Sequence, residues 1–407
     1  MTTMRTRRPG RRGSPGWATC LVAATVLAGG SGVATARDTP RHAGPTASVA
    51  VPMAAPVTAN AGPRPRNVII FLGDAGGLPT LGAAAILAHD RPQSLFIQSM
   101  PHVGLSDTSS RNRWVTDSAA GMTAIITGHK TDNGVVSMIP GTAGGAPVPV
   151  KSFIEYAGQH GLSTGVVTNM PIWDATPAAC FAHVPSRKDK DAIFSQMLAP
   201  RFGKGVDILI GKGRKDADAS FAKGGTTPER AFAAAGYRYG DDPALVRQAA
   251  RAAVLRDTDF APLPAVEATI GQLARNPRGY VLMVEWDMHT DDPQAGLRHV
   301  VEMDDMIRRI AAVAGKDTLI LFTADHSFGL RMGGGSRGTP LAAQFAAAAA
   351  TPGTTIANNP VIGVEDGHTG DDVITAAAGP GAAQVHGFFP NTHIFDMLMT
   401  ATGWPRD

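Results

Sequence analysis

Val68-Ile69-Ile70-Phe71-Leu72 runs directly into Gly73-Asp74, an unbroken apolar stretch that ends in an acid. Two distant stretches repeat the pattern. Tyr280-Val281-Leu282-Met283-Val284 leads into Glu285, with Asp287 and His289 just beyond. Thr318-Leu319-Ile320-Leu321-Phe322 leads into Asp325-His326. Short apolar runs bounded by Gly and polar residues suit strands buried on both faces of a parallel sheet. In open α/β sheets, reactive groups gather beyond the carboxyl ends of such strands. One acid after one strand is often only a turn former or a helix cap. Acids and imidazoles after three strands point instead to a cation, which needs oxygen and nitrogen ligands from separate elements.

Around these runs, strand and helix signals alternate in the doubly wound pattern. Further strands are expected over residues 163–168 and 207–210. Helices are expected over 80–89, 151–160 (closed by Gly161), 229–235, 243–255, 266–274 and 297–314. The predicted fold is α/β: a doubly wound, mostly parallel central sheet flanked by helices. Residues 328–367 hold Gly333-Gly334-Gly335 and an alanine run from Ala346 to Ala350. They read as a small insertion over the active-site edge of one catalytic domain, 67–407.

The chain of 407 residues is 43% hydrophobic and 17% charged, a composition long enough for one large globular domain. Residues 1–36 read as a signal peptide. Arg5, Arg7, Arg8, Arg11 and Arg12 form an acid-free basic region, an apolar stretch follows, and Ala34-Thr35-Ala36 is a small-x-small cleavage site. The apolar stretch is too short for a membrane span. A general secretory signal is favoured. Arg7-Arg8 leaves the twin-arginine route open, although the apolar residues expected just after that pair are missing. The mature protein is therefore expected to be secreted or periplasmic, with no membrane span. Residues 37–66, rich in Pro and Ala, read as a disordered tether.

Loss of those arginines turns the net charge of +3 slightly acidic, so no basic patch for nucleic acid remains. Of the two cysteines, Cys20 falls in the signal segment. Cys180 is then alone, expected as a small buried hydrophobe, and a thiolate zinc site is excluded.

The segment Val115-Thr116-Asp117-Ser118-Ala119-Ala120-Gly121-Met122 places a serine where a helix can start. A helix N-terminus lends positive potential to a serine oxygen and to an anionic substrate. Taken alone, the segment also reads as a plain N-cap by Thr116 or Asp117.

Five segments in order resemble the alkaline phosphatase family, over nearly all of residues 67–403. They are 67–74, 116–134 (TDSAAGMTAIITGHKTDNG), 174–187 (DATPAACFAHVPSR), 318–327 with its Asp325-His326-Ser327 ending, and His368-Thr369-Gly370. The resemblance implies a phosphomonoesterase with two zinc ions and one magnesium, acting on small phosphate monoesters. It implies that Ser118 is the nucleophile and Arg187 the phosphate clamp. Asp74, Asp325 and His326 would hold the zinc beside Ser118, with Asp74 bridging to the magnesium. Thr176 and Glu285 would complete the magnesium site, with Asp174 close by. His368 would hold the other zinc. A homodimer is compatible with this reading. The chemistry agrees, since phosphoryl transfer needs charge neutralisation and positioning, and two metals about 4 Å apart can serve the attacking and leaving oxygens together. A guanidinium matches two phosphate oxygens as no lysine can.

One segment departs from the family pattern. After the magnesium glutamate the family has an Asp, three residues, then a His. Here Glu285-Trp286-Asp287-Met288-His289-Thr290-Asp291-Asp292 is shorter. His289 and Asp287 are both expected to bind the first zinc, with Asp291 the rival carboxylate ligand; Asp291 or Asp292 is also available to cap the next helix. Two sister readings are a phosphodiesterase and a sulfatase of the same superfamily. Ala120 stands where a formylglycine motif needs Pro, and diesterases tend to have Thr at the nucleophile. A secreted phosphate- or metal-binding protein without turnover is the remaining alternative.

Overall fold

The three apolar runs lie side by side at the centre of one ten-stranded sheet. This computed structural model describes residues 63–406. The expected signal peptide, and the tether up to residue 62, lie outside the described residues. The strands are β1 (Asn67–Asp74), β2 (His102–Asp107), β3 (Met138–Ile139), β4 (Val148–Pro149), β5 (Ser163–Pro171), β6 (Ile208–Lys212) and β7 (Arg238–Gly240). They continue as β8 (Ala252–Arg256), β9 (Tyr280–Asp287), β10 (Thr318–Ala324), β11 (Ser327–Met332), β12 (Ile362–Thr369), β13 (Val373–Ala378) and β14 (Gly387–Pro390).

The order across the large sheet is β14-β2-β13-β10-β1-β9-β5-β6-β8-β7. From β10 to β7 every neighbouring pair is parallel. β13 runs antiparallel between β10 and β2. All eight residues of β1 are buried, as befits a strand covered by helices on both faces. The register sets the site: Gly73 faces Ala324 on one side, and Asp74 faces Asp287 on the other. The acids therefore leave the sheet at the same carboxyl edge.

One expected helix is corrected. Residues 243–255 split into a short 3-10 turn, Pro243–Gln248, and strand β8. Ala252, Ala253, Val254 and Leu255 are all buried. The alanines that suggested a helix are small side chains packed on both faces of a strand parallel to β6. Elsewhere the expected helices form. The longest, Pro293–Val313, begins four residues before its expected start, because Asp292 accepts from the N–H groups of Gln294 and Ala295. β11 and β12 form a separate two-stranded sheet, and helix Leu341–Ala349 lies between them in sequence. Their pairing brings Ser327 opposite Thr369 and Phe328 opposite His368. Cys180 is a buried free thiol.

Candidate metal centre and nucleophile

Helix Ser118–Thr127 begins at the carboxyl edge of the sheet, with Asp117 as its cap accepting from Ala120 N–H at 3.1 Å. A Cβ on Gly121 would come within 2.8 Å of the Asp325 carbonyl oxygen. Glycine at this position thus lets the helix start press against the end of β10. Ser118 is nearly buried, and its Oγ lies 3.2 Å from His326 Nε2.

Three histidines meet here with matching tautomers. His289 Nδ1 donates to Asp287 Oδ1 at 2.8 Å, His326 Nδ1 to the Ser327 carbonyl at 3.2 Å, and His368 Nδ1 to the Thr116 carbonyl at 3.0 Å. A carbonyl oxygen only accepts, and so does an ionised carboxylate, so each Nδ1 carries the proton. In the neutral form, a ring of this tautomer turns a lone pair at Nε2 toward the others. His289 Nε2 and His368 Nε2 are 3.5 Å apart. Two nitrogens bound tetrahedrally to one zinc, at 2.0–2.1 Å each, stand about 3.4 Å apart. The two rings therefore have the spacing of ligands to one ion.

Around His326 Nε2 the neighbours are acceptors too: Asp74 Oδ1 at 3.2 Å and Asp325 Oδ2 at 3.4 Å. Both oxygens are buried without a hydrogen-bond partner. Asp325 uses its other oxygen to accept from Ala75 and His326 N–H groups. Two sets of convergent ligand atoms result, one from His289, His326 and His368, the other from Asp74, Asp325 and His326. Lone pairs converging in a dry place are costly unless a cation sits among them.

The local electrostatics say the same. Burial raises the Asp74 carboxyl, but the adjacent His326 ring, with His289 and Arg187, pulls it well below the ordinary carboxylate range. Burial and then the charge of Asp74 push Asp325 up to about 6. The same two causes raise Glu285 well above its ordinary value. Burial lowers His289, but the bond to Asp287 and the surrounding carboxylates outweigh it and lift the ring to about 9. Burial and the charge of His326 drive His368 down to about 4.

Of the residues expected around magnesium, Glu285 lies close enough to Asp74 to feel its charge. Glu285 is buried and accepts a hydrogen bond from Thr168 Oγ1. Thr176 Oγ1 is buried without a partner. Asp174 instead caps the helix Ala175–Ala178 and accepts from Arg187 Nη2 at 2.8 Å. Arg187 also reaches Asp117 at 3.3 Å, so two acids aim its guanidinium at the start of the Ser118 helix. Asp287 stands on the ring of His289 and belongs to neither convergent set. Asp291 is exposed on the surface.

Sequence reasoning missed Thr168 and Asn169. They end the buried part of β5, where Thr168 holds Glu285 and Asn169 Oδ1 accepts from Asp287 N–H at 2.9 Å. Their place at the carboxyl end of a parallel strand was the available signal.

A family model described as alkaline phosphatase matches residues 65–259 and 247–362. The chain is 30% identical over 293 residues to alkaline phosphatase 4 of Bacillus subtilis (strain 168), covering 65% of this chain and 62% of that protein. It thus spans less than two thirds of that relative. It is 28% identical over 432 residues to the alkaline phosphatase of Escherichia coli (strain K12), covering 83% of this chain and 86% of that one. Among solved structures it is similar to Thermus thermophilus alkaline phosphatase, with a TM-score of 0.70 and 23% identity over 85% of this chain and 93% of that one.

Proposed function

The chain belongs to the alkaline phosphatase family, and we propose that it hydrolyses phosphate monoesters through a phosphoserine at Ser118. The observation that carries this reading is the convergence of three Nε2 atoms and two unpartnered carboxylate oxygens on the start of the Ser118 helix. The donor set fits metal ions. Asp74, Asp325 and His326 would hold a zinc beside Ser118, and His289 and His368 a second. Asp74, Thr176 and Glu285 would hold a magnesium. Asp287 orients the His289 ring, in the manner of carboxylates that stand behind metal-bound histidines. Bound there, the ions would supply positive charge against the nucleophile, the leaving oxygen and the phosphoryl oxygens.

Ser118 Oγ forms the new bond to phosphorus as the bond to the ester oxygen breaks, and its proton leaves with the alcohol. Water then attacks the phosphoserine, regenerates the hydroxyl and releases inorganic phosphate. Arg187 binds two phosphoryl oxygens, freed for that role by the slack of its 3.3 Å contact with Asp117. The helix N-terminus adds its N–H dipoles.

The segment 1–36 supports export of the protein to the periplasm or the medium. No helix of the described residues is long and apolar enough to cross a membrane. Rates on a monoester, a diester and a sulfate ester, with and without added zinc and magnesium, test the proposal. Metal-dependent turnover of the monoester above the others is expected; preference for the diester or sulfate overturns it.

A further inference from the structure

The loop between β2 and the Ser118 helix displays Trp114, which at 88% exposed is the most exposed large apolar residue among the described residues. Neighbouring Val115 is 39% exposed. Backbone contacts fix where this loop lies. On one flank, the Trp114 carbonyl and Val115 Cγ2 approach Gly370, coming 3.1 and 3.6 Å from the place a Cβ there would take. Gly370 is two residues from His368, whose ring donates to the Thr116 carbonyl. On the other flank, Asn133 Nδ2 donates to the Val115 carbonyl at 3.1 Å, and Gly134 O accepts from Arg187 N–H at 2.7 Å. The loop that carries Trp114 thus lies between the His368 side and the Arg187 side.

The loop is also pinned. Ser110 N–H reaches Arg113 O at 3.1 Å, Arg111 N–H reaches Thr131 O at 2.9 Å, and Asn133 N–H reaches Asn112 Oδ1 at 3.0 Å. A single exposed apolar side chain needs no explanation by itself. This one rides on a hydrogen-bonded loop four residues before the nucleophile, so its backbone is ordered before any ligand arrives. A phosphate ester held at Ser118 between those flanks would carry its organic part toward solvent beside this loop.

We propose that Trp114 is a stacking platform for the leaving group, making the protein selective for phosphate monoesters of planar aromatic alcohols over small alkyl ones. The inference rests on the phosphomonoesterase reading above. An indole offers a flat π face for another ring, and no comparable gain for a methyl or a bare phosphate.

Binding of phenylphosphonate, methylphosphonate and inorganic phosphate to the zinc- and magnesium-loaded protein tests this by calorimetry, without turnover. Trp114→Ala should weaken phenylphosphonate about tenfold, as loss of a stacking aromatic does. It should leave the other two anions unchanged, and Trp114→Phe should retain most of the phenylphosphonate affinity. Equal loss for all three anions, or none for phenylphosphonate, overturns the platform alone. So does a change of oligomeric state in Trp114→Ala by sedimentation, which would assign the indole to a second copy of the chain. Wild-type protein that binds none of the three overturns the phosphomonoesterase reading and the platform with it.

Discussion

Asp287 Oδ1 accepts the Nδ1 proton of His289 at 2.8 Å, and this bond turns His289 Nε2 toward His368 Nε2, 3.5 Å away. The pair explains how a segment shorter than the family pattern can still present an imidazole. The carboxylate two residues upstream fixes the tautomer and the ring plane, and the ring would supply the proposed ligand atom.

Asp287→Asn should therefore weaken zinc binding about 10–100-fold while a saturating supply restores the full metal content. His289→Ala should lose the metal at any practical concentration, and Asp291→Ala should keep wild-type stoichiometry and affinity. Metal analysis after dialysis, together with titration, checks all three. If Asp287→Asn loses metal as completely as His289→Ala, Asp287 is itself a ligand.

Metal uptake should release protons near neutral pH. Without metal, His289 stays protonated up to about 9 because of its carboxylate neighbours. Ligation requires the neutral ring, so binding must expel that proton, and affinity should rise as pH climbs toward that value. His368, held down to about 4, is already neutral and contributes nothing. Zinc-binding heats in buffers of different ionisation enthalpy should differ accordingly; equal heats would contradict the account.

Arg187→Ala should weaken inhibition by inorganic phosphate by about 10–100-fold, the loss of a charge-assisted pair of hydrogen bonds at about 1.5–3 kcal/mol. Metal content should not change. Arg187→Lys should recover little, because one ammonium cannot match two phosphate oxygens. Unaltered phosphate inhibition in the alanine variant would place the clamp elsewhere.

Asp292→Ala should cost about 1 kcal/mol of stability, since the carboxylate caps two N–H groups at the head of helix Pro293–Val313. Asp291→Ala should fall within about 0.5 kcal/mol of wild type, as exposed surface changes do. Denaturant midpoints distinguish them, and a larger loss for Asp291 would contradict the assignment of the cap.

The sequence was most legible where strands are buried on both faces. β1, β9 and β10 are continuous apolar runs, and the acids at their ends share one sheet edge because the pairing is in register. β8 was hidden because alanine favours a helix until a neighbouring strand makes small size the requirement. The contact of Asp287 with the His289 ring was hidden for another reason. Spacing places a carboxylate near a ring, but only the backbone decides whether it faces the ion or the ring. Thr168 and Asn169 were overlooked because they are neutral and carry no motif, although their position on β5 was readable.

The proposed function turns on Ser118 as the carrier of the phosphoryl group. Quenching the zinc- and magnesium-loaded protein in acid during turnover of a phosphate monoester, then mapping the phosphorylated peptide by mass spectrometry, tests it most directly. One phosphoryl group is expected on Ser118, absent from Ser118→Ala, whose turnover falls by several orders of magnitude. A Ser118→Ala protein with near-native turnover, or a phosphoryl group on another residue, would contradict it.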